Sequence, residues 1–145
     1  MNLKIISLIG LGIALIGVFY LNNLGYIFSK NPISILVQVC AFSLMIWARI
    51  TFGIRSFHAS ANTTKGGLVT HGPYRWLRHP IYASIIYFFG ACLISYPFIQ
   101  TIGGVVLIVI GLFIRMIIEE NFLANEYKEY KTYCLKAKRI IPFIF

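Results

Sequence analysis

The sequence predicts an all-α, polytopic membrane protein, and three observations carry that prediction. Hydrophobic residues fill 59% of the 145 positions and charged residues only 12%, about half the charged share of an average soluble protein. The apolar residues gather into four windows near the length of a bilayer-crossing helix. The 13 Lys and Arg, set against four Asp and Glu, fall almost entirely on one side of those windows. At this length a single domain, residues 1–145, is expected. A soluble nucleic-acid binder would share the net charge of +9 but not the apolar content. The expected partner is therefore the lipid bilayer, not nucleic acid.

The first window, residues 3–21, opens after a short polar start with Lys4. Phe19, Tyr20, Leu21 and two asparagines close it, with no small-residue cleavage site, so it is expected as a retained span. The second covers about 33–52, and Pro32 suits its first turn, where a missing N–H costs little. The third, about 81–96, is short; Pro80 begins it and Pro97 parts it from the fourth, about 98–118. So short a connection predicts a tight helical hairpin. With both termini in the cytoplasm, Lys4, Arg49, Arg55, Lys65, Arg75, Arg78 and the six cations from Arg115 onward all lie inside. Only Lys30 is left outside, and this asymmetry predicts the orientation.

The tail, 119–145, differs in kind. Leu123, Tyr127, Tyr130, Cys134 and Ala137 recur at steps of four and three, which predicts an amphipathic helix from Glu119 to Lys138 with one apolar stripe. Such a helix would lie on the membrane or fold over the inner ends of the spans. Cys40, Cys92 and Cys134 are odd in number and form no CxxC pair, so neither a disulfide framework nor a zinc site is expected. His58, His71 and His79 show no metal-ligand spacing, and no metal is expected.

Polar chemistry concentrates in two places. Arg115 and Glu119 are four apart at the end of the fourth span and share a helix face; Glu120 points away from it. Charged residues so close to a span either face a cavity and mark function or merely end the helix as an ion pair. The second place is TTKGGLVTHGPYRWLRHP, a glycine-punctuated loop ending at a helix start. Its His79 is placed at the N-cap, where free N–H groups can hold an anion. Tyr74, Trp76 and Tyr82 offer flat surfaces for an aromatic ring or a sulfonium-like cation. Arg75 and Trp76 read more simply as positive-inside charge and interfacial belt. Together the residues suggest a cytoplasm-facing pocket closed by the tail. A ligand with a carboxylate, an ammonium, a ribose and a purine fits that set, and so does a nucleotide; neither a Walker loop nor a dinucleotide GxGxxG motif is present.

GGLVTHGPYRWLRHPIYAS, then RMIIEENFL, EYKEYK and a final RIIPFI, resemble the isoprenylcysteine carboxyl methyltransferase family over about residues 49–145. The related phospholipid N-methyltransferases share much of the pattern. The resemblance implies an integral membrane methyltransferase that uses S-adenosylmethionine. It implies cofactor contacts from Gly66, Gly67, Leu68, Val69, Tyr74, His79, Pro80, Ile81, Tyr82 and Glu119. It places Arg115 on the acceptor, so that Arg115 and Glu119 form the catalytic pair. The family's upstream glutamine falls near Ala59, where His58, Ser60 or Asn62 would have to substitute. Gly66 stands where the family often has histidine, and Ser84 where it usually has glycine.

The implied acceptor is lipophilic or small. An isoprenylcysteine-type carboxylate is favoured by the resemblance, with a phospholipid amine or a thiol as alternatives. Less favoured are a nicotinamide-dependent membrane reductase, against which the paired Glu119 and Glu120 argue, and a non-catalytic membrane module.

Overall fold

The structure is a computed structural model that describes residues 3–53 and 67–144. It is helical, as the sequence predicts: α1 (Leu3–Asn23), α2 (Pro32–Phe52), a 3-10 turn (Gly72–Arg75), α3 (Pro80–Gly90), a one-turn α4 (Cys92–Ser95), α5 (Ile99–Glu126) and α6 (Tyr130–Lys136). Among the described residues the sole β contact is a parallel bridge between Leu77 and Lys138. Three helices, α1, α2 and α5, are long and apolar enough to cross a membrane. The fourth expected span is the apolar stretch Pro80–Ser95. At 1.5 Å per residue it reaches about 24 Å, short of a ~30 Å hydrocarbon core. It also breaks at Ala91 between α3 and α4.

The starts of α2 and α3 follow the prolines. Pro32 occupies the first turn of α2, and the Asn31 side chain caps it by accepting from the Ile33 N–H at 2.9 Å. Pro80 does the same for α3, with His79 as N-cap residue. The hairpin expected around Pro97 is present, α3 and α4 running back along α5.

The helices lie in the order α1, α5, α3, α2, since α1 packs along α5, α5 along α3 and α3 along α2. The α1–α5 contact is made by small residues. Ser7, Gly10, Ala14, Gly17 and Leu21 form the buried face of α1, at steps of three and four. Gly104 and Gly111 answer on α5: a Cβ on Gly17 would lie 2.7 Å from the Gly104 carbonyl oxygen, and one on Gly111 2.4 Å from that of Gly10. Such close backbone approach is what holds helices together where lipid competes equally for apolar side chains. Outward from this seam Ile5, Leu8, Leu15, Ile16 and Phe19 are exposed, as a lipid-facing surface requires.

At the end of the bundle holding residues 24–31 and 91–98, a buried amide does the joining. Gln38 donates to the Ile27 carbonyl at 2.7 Å and accepts from the Ser29 N–H at 3.1 Å. Tyr96 donates to the Phe28 carbonyl and stacks on Tyr26, ring centres 4.6 Å apart. Ser84, at the family's glycine position, is buried and donates to the Ile81 carbonyl at 2.7 Å.

The tail departs from expectation. Residues 119–126 belong to α5, which runs on unbroken through Glu126, and α6 begins only at Tyr130. The amphipathic helix is thus seven residues, Tyr130–Lys136, rather than the twenty from Glu119 to Lys138. Its buried face is Tyr130, Tyr133 and Ala137, with Leu123, Tyr127, Cys134 and Leu68 packed around them. After the break at 127–129 both tyrosines are buried.

Candidate functional site

The site assembles at the opposite end, where α3 begins, α5 ends its apolar stretch and the tail returns. Residues 67–79 lead into the start of α3 and pack against the end of α2. Gly72 has φ +58°, and a Cβ there would lie 2.7 Å from Thr51 Oγ1. A side chain at 72 would therefore be strained twice, by conformation and by contact. Past it, Val69 and Tyr74 bury against Ala48 with Phe52 and Ile81 packed around them. The Tyr74 ring leans on Phe52, centres 5.5 Å apart. Burial pushes the Tyr74 phenol above its ordinary range.

From this platform α3 presents His79 and Tyr82, one turn apart. Their rings stack, centres 5.6 Å apart and 9° from parallel. Tyr82 donates its hydroxyl hydrogen to Glu119, and Arg115 Nε donates to the Tyr82 oxygen at 3.1 Å. Arg115 Nη2 stands 3.4 Å from Glu119 Oε1, completing the i,i+4 pair the spacing anticipates. Its Nη1 donates to the Ser7 carbonyl of α1 at 3.4 Å. The Glu119 carboxylate also lies 3.8 Å from His79 Nδ1. His79 and Glu119, 40 positions apart in the chain, thus share one cluster with Tyr82 and Arg115. Arg115 is only 5% exposed, held by α1, α3 and its own helix.

The other expected residues are distributed more broadly. Pro80 is fully buried under the start of α3. Val69, Tyr74 and Ile81 form the apolar wall already described. Leu68 packs instead against the tail cluster of Tyr130, Tyr133 and Ala137. Gly67 is exposed with φ +80°. Gly66 and the candidates His58, Ala59, Ser60 and Asn62 lie outside the described residues. Arg75 and Trp76 do not join the cluster. The Trp76 ring packs edge-on against Trp47, and both are over 40% exposed, as members of an interfacial belt. A cleft of about 510 Å³ between Leu68, Thr70, Trp76, Thr132, Tyr133 and Lys136 lies on this tail side, away from Arg115.

One expectation needs correction. The His79 backbone N–H is not free for an anion, because it donates to the Arg139 carbonyl at 3.1 Å. Glu120 leaves the Arg115–Glu119 face, as its helical angle requires, and faces the loop and tail. Its Oε1 lies 3.1 Å from Arg78 Nη1 and 3.3 Å from His79 Nε2, and Arg139 Nη2 reaches its Oε2 at 3.0 Å. Adjacent positions on a helix are about 100° apart; here the two carboxylates approach His79 from different sides. Cys134, in the tail, accepts from Arg78 Nη1 at 3.0 Å.

Chemically, the cluster offers a carboxylate held by two donors, a stacked pair of rings and a buried guanidinium, backed by an apolar wall. A family model described as phospholipid methyltransferase matches residues 31–130. That stretch contains every described residue of the expected site. No curated protein and no solved structure matches the chain.

Proposed function

Because the chain belongs to the phospholipid methyltransferase family, we propose that it transfers a methyl group from S-adenosylmethionine to a lipid-borne acceptor at the cluster of His79, Tyr82, Arg115 and Glu119. The single observation that carries this is the convergence of that cluster from α3 and α5: His79 Nδ1 and Arg115 Nη2 lie 3.8 and 3.4 Å from one carboxylate. The family supplies methyl transfer as the reaction class; the donor, the acceptor and the residue roles are our reading.

The residues fit that donor chemically. Glu119 suits its ammonium or ribose hydroxyls, and the aromatic faces of His79 and Tyr82 suit a flat or cationic group. When bound, the donor supplies an electrophilic methyl on a sulfonium, displaced in line by the acceptor. The protein's part is alignment and exclusion of water, which together supply several kcal/mol of barrier reduction. Val69, Tyr74 and Ile81 provide the dry wall. With the termini cytoplasmic, the cluster lies at the inner leaflet, where an acceptor anchored in lipid reaches it without leaving the bilayer.

Two acceptors compete, each with its own support. The family match favours the amine of a phospholipid headgroup. An ammonium must lose its proton before it can attack, and on this reading Glu119, within the cluster, takes it. The buried Arg115 guanidinium favours a carboxylate such as that of an isoprenylcysteine, which needs no base and gains orientation from a fixed cation.

The test is methyl transfer from tritiated donor in detergent, with phosphatidylethanolamine, prenylcysteine analogues and small thiols as parallel acceptors. Label in the first alone selects the amine reading, and in the second alone the carboxylate reading. S-adenosylhomocysteine at a hundredfold over its dissociation constant should stabilise the protein by about 2.7 kcal/mol. A melt that responds to NADPH and not to this ligand would refute the proposal.

A further inference from the structure

We infer that Arg139, acting through Glu120, is a positioning residue for His79: the returning tail sets the orientation of an imidazole in the donor site. The inference rests on the function proposed above and assigns a role within it to a residue outside the family-matched segment.

The backbone argument comes first. Residues 138–140 run beside residues 76–79. Lys138 N–H donates to the Trp76 carbonyl at 3.0 Å, Arg78 N–H to the Lys138 carbonyl at 2.6 Å, and His79 N–H to the Arg139 carbonyl at 3.1 Å. Tyr87, two turns into α3, donates its hydroxyl hydrogen to the Ile140 carbonyl. The tail is thus laid across the loop and the start of α3. The N–H of His79, which its own helix leaves without a partner, is satisfied by the tail.

The side chains repeat the connection. Arg139 Nε donates to both oxygens of Glu120 at 3.2 Å, and Nη2 to Oε2 at 3.0 Å. This fork fixes the plane of the carboxylate. The other oxygen, Oε1, meets His79 Nε2 at 3.3 Å and Arg78 Nη1 at 3.1 Å. With one edge of the imidazole anchored there, its Nδ1 edge is turned to Glu119 and its face to Tyr82. Side-chain exposures of 5% for His79 and 13% for Glu120 separate their contact from a surface ion pair, which contributes little, while Arg139 closes it from the rim at 31%. A largely buried carboxylate with three cationic or polar partners fixes geometry more than it adds stability.

The experiment compares Arg139→Gln, Arg139→Lys and Tyr133→Phe in the full-length protein. Tyr133 also tethers the tail, donating to the Tyr74 carbonyl at 2.7 Å, but has no contact with Glu120 among its hydrogen bonds. Arg139→Gln should weaken S-adenosylhomocysteine binding about tenfold, the size of coupling expected between groups in one network. Arg139→Lys should recover most of that loss. Tyr133→Phe should lower the melting temperature and leave affinity unchanged. In parallel, nitrogen-15 histidine spectra should show the His79 ring signals shifted by Arg139→Gln and unmoved by Tyr133→Phe. Unaltered His79 signals and affinity in Arg139→Gln, or equal changes in both variants, would overturn the inference. Absence of S-adenosylhomocysteine binding in the unsubstituted protein would overturn the donor assignment instead, and the imidazole spectra would still decide the positioning.

Discussion

Replacing Gly111 with alanine tests whether the α1–α5 seam is as close as it looks. A Cβ at 111 would lie 2.4 Å from the Gly10 carbonyl oxygen and 2.6 Å from the Ala14 nitrogen. Both obstacles are backbone, so no rotamer change relieves them. Reaching ordinary contact at 3.4 Å requires 3.4 − 2.4 = 1.0 Å of separation between the helices. A gap of that size forfeits a quarter to a half of the contact energy along the seam. Overpacking of this kind costs about 1–3 kcal/mol, and alanine's better helix propensity returns about 1 kcal/mol. The net expectation is a loss of about 0–2 kcal/mol, and a deficit of about 1–3 kcal/mol against an alanine that meets no obstacle. Gly103, next to Gly104 but about 100° round the helix and exposed, is the internal control, since a Cβ there meets nothing within 4 Å. Gly103→Ala should be neutral or up to about 1 kcal/mol more stable. Reversible denaturation in mixed detergent micelles measures both. Gly111→Ala as stable as Gly103→Ala would refute the reasoning. Turnover should fall with Gly111→Ala as well, because Arg115, one turn further on, reaches the Ser7 carbonyl across the same seam.

Other expectations follow from single side chains. Arg115→Met keeps the buried stem but removes the guanidinium; the S-adenosylhomocysteine thermal shift should survive while turnover falls about a hundredfold, as for loss of one oriented donor. Tyr133→Phe should destabilise by about 1–2 kcal/mol by leaving the Tyr74 carbonyl unpaired, read as a lower melting temperature. Burial raises the Tyr133 phenol above its ordinary 10.0, so the folded protein keeps that proton longer than the unfolded chain does. The stability it contributes is intact below pH 10 and declines as pH rises past it; Tyr133→Phe should flatten that alkaline decline in a pH series of melts. Gln38→Leu strands the Ser29 N–H, leaves the Ile27 carbonyl only the weak Cys92 thiol donor, and should cost about 1–3 kcal/mol, measured by the same denaturation.

Much of this architecture was legible because bilayers constrain sequence strongly. The apolar windows locate α1, α2 and α5, and Pro32 and Pro80 mark two helix starts to within a residue. The pairing of Arg115 with Glu119 follows from helical spacing alone. The seam was also written in the chain, as small residues at 7, 10, 14 and 17, but which helix they meet is a tertiary fact. The end of α5 was not legible. NEYKEYK contains no Gly or Pro, and its bend is set by the burial of Tyr130 and Tyr133 against Leu68 and Leu123. The direction of Glu120 was legible from its spacing, but its partners were not, for a related reason. Helical angle says which way a side chain leaves its own axis; it is silent on a tail that comes back to meet it.

The helix order has a consequence for how the molecule is made. The main partner of α1 is α5, and synthesis must traverse the 75 residues between Asn23 and Ile99 before that partner begins to emerge. At ~5–20 residues per second, the glycine-lined face of α1 waits roughly 4–15 s in lipid with nothing to grip. Insertion and assembly are therefore separate events in time. A ribosome stalled anywhere before α5 leaves a correctly threaded but unzipped helix, open to capture by another membrane protein or by quality control.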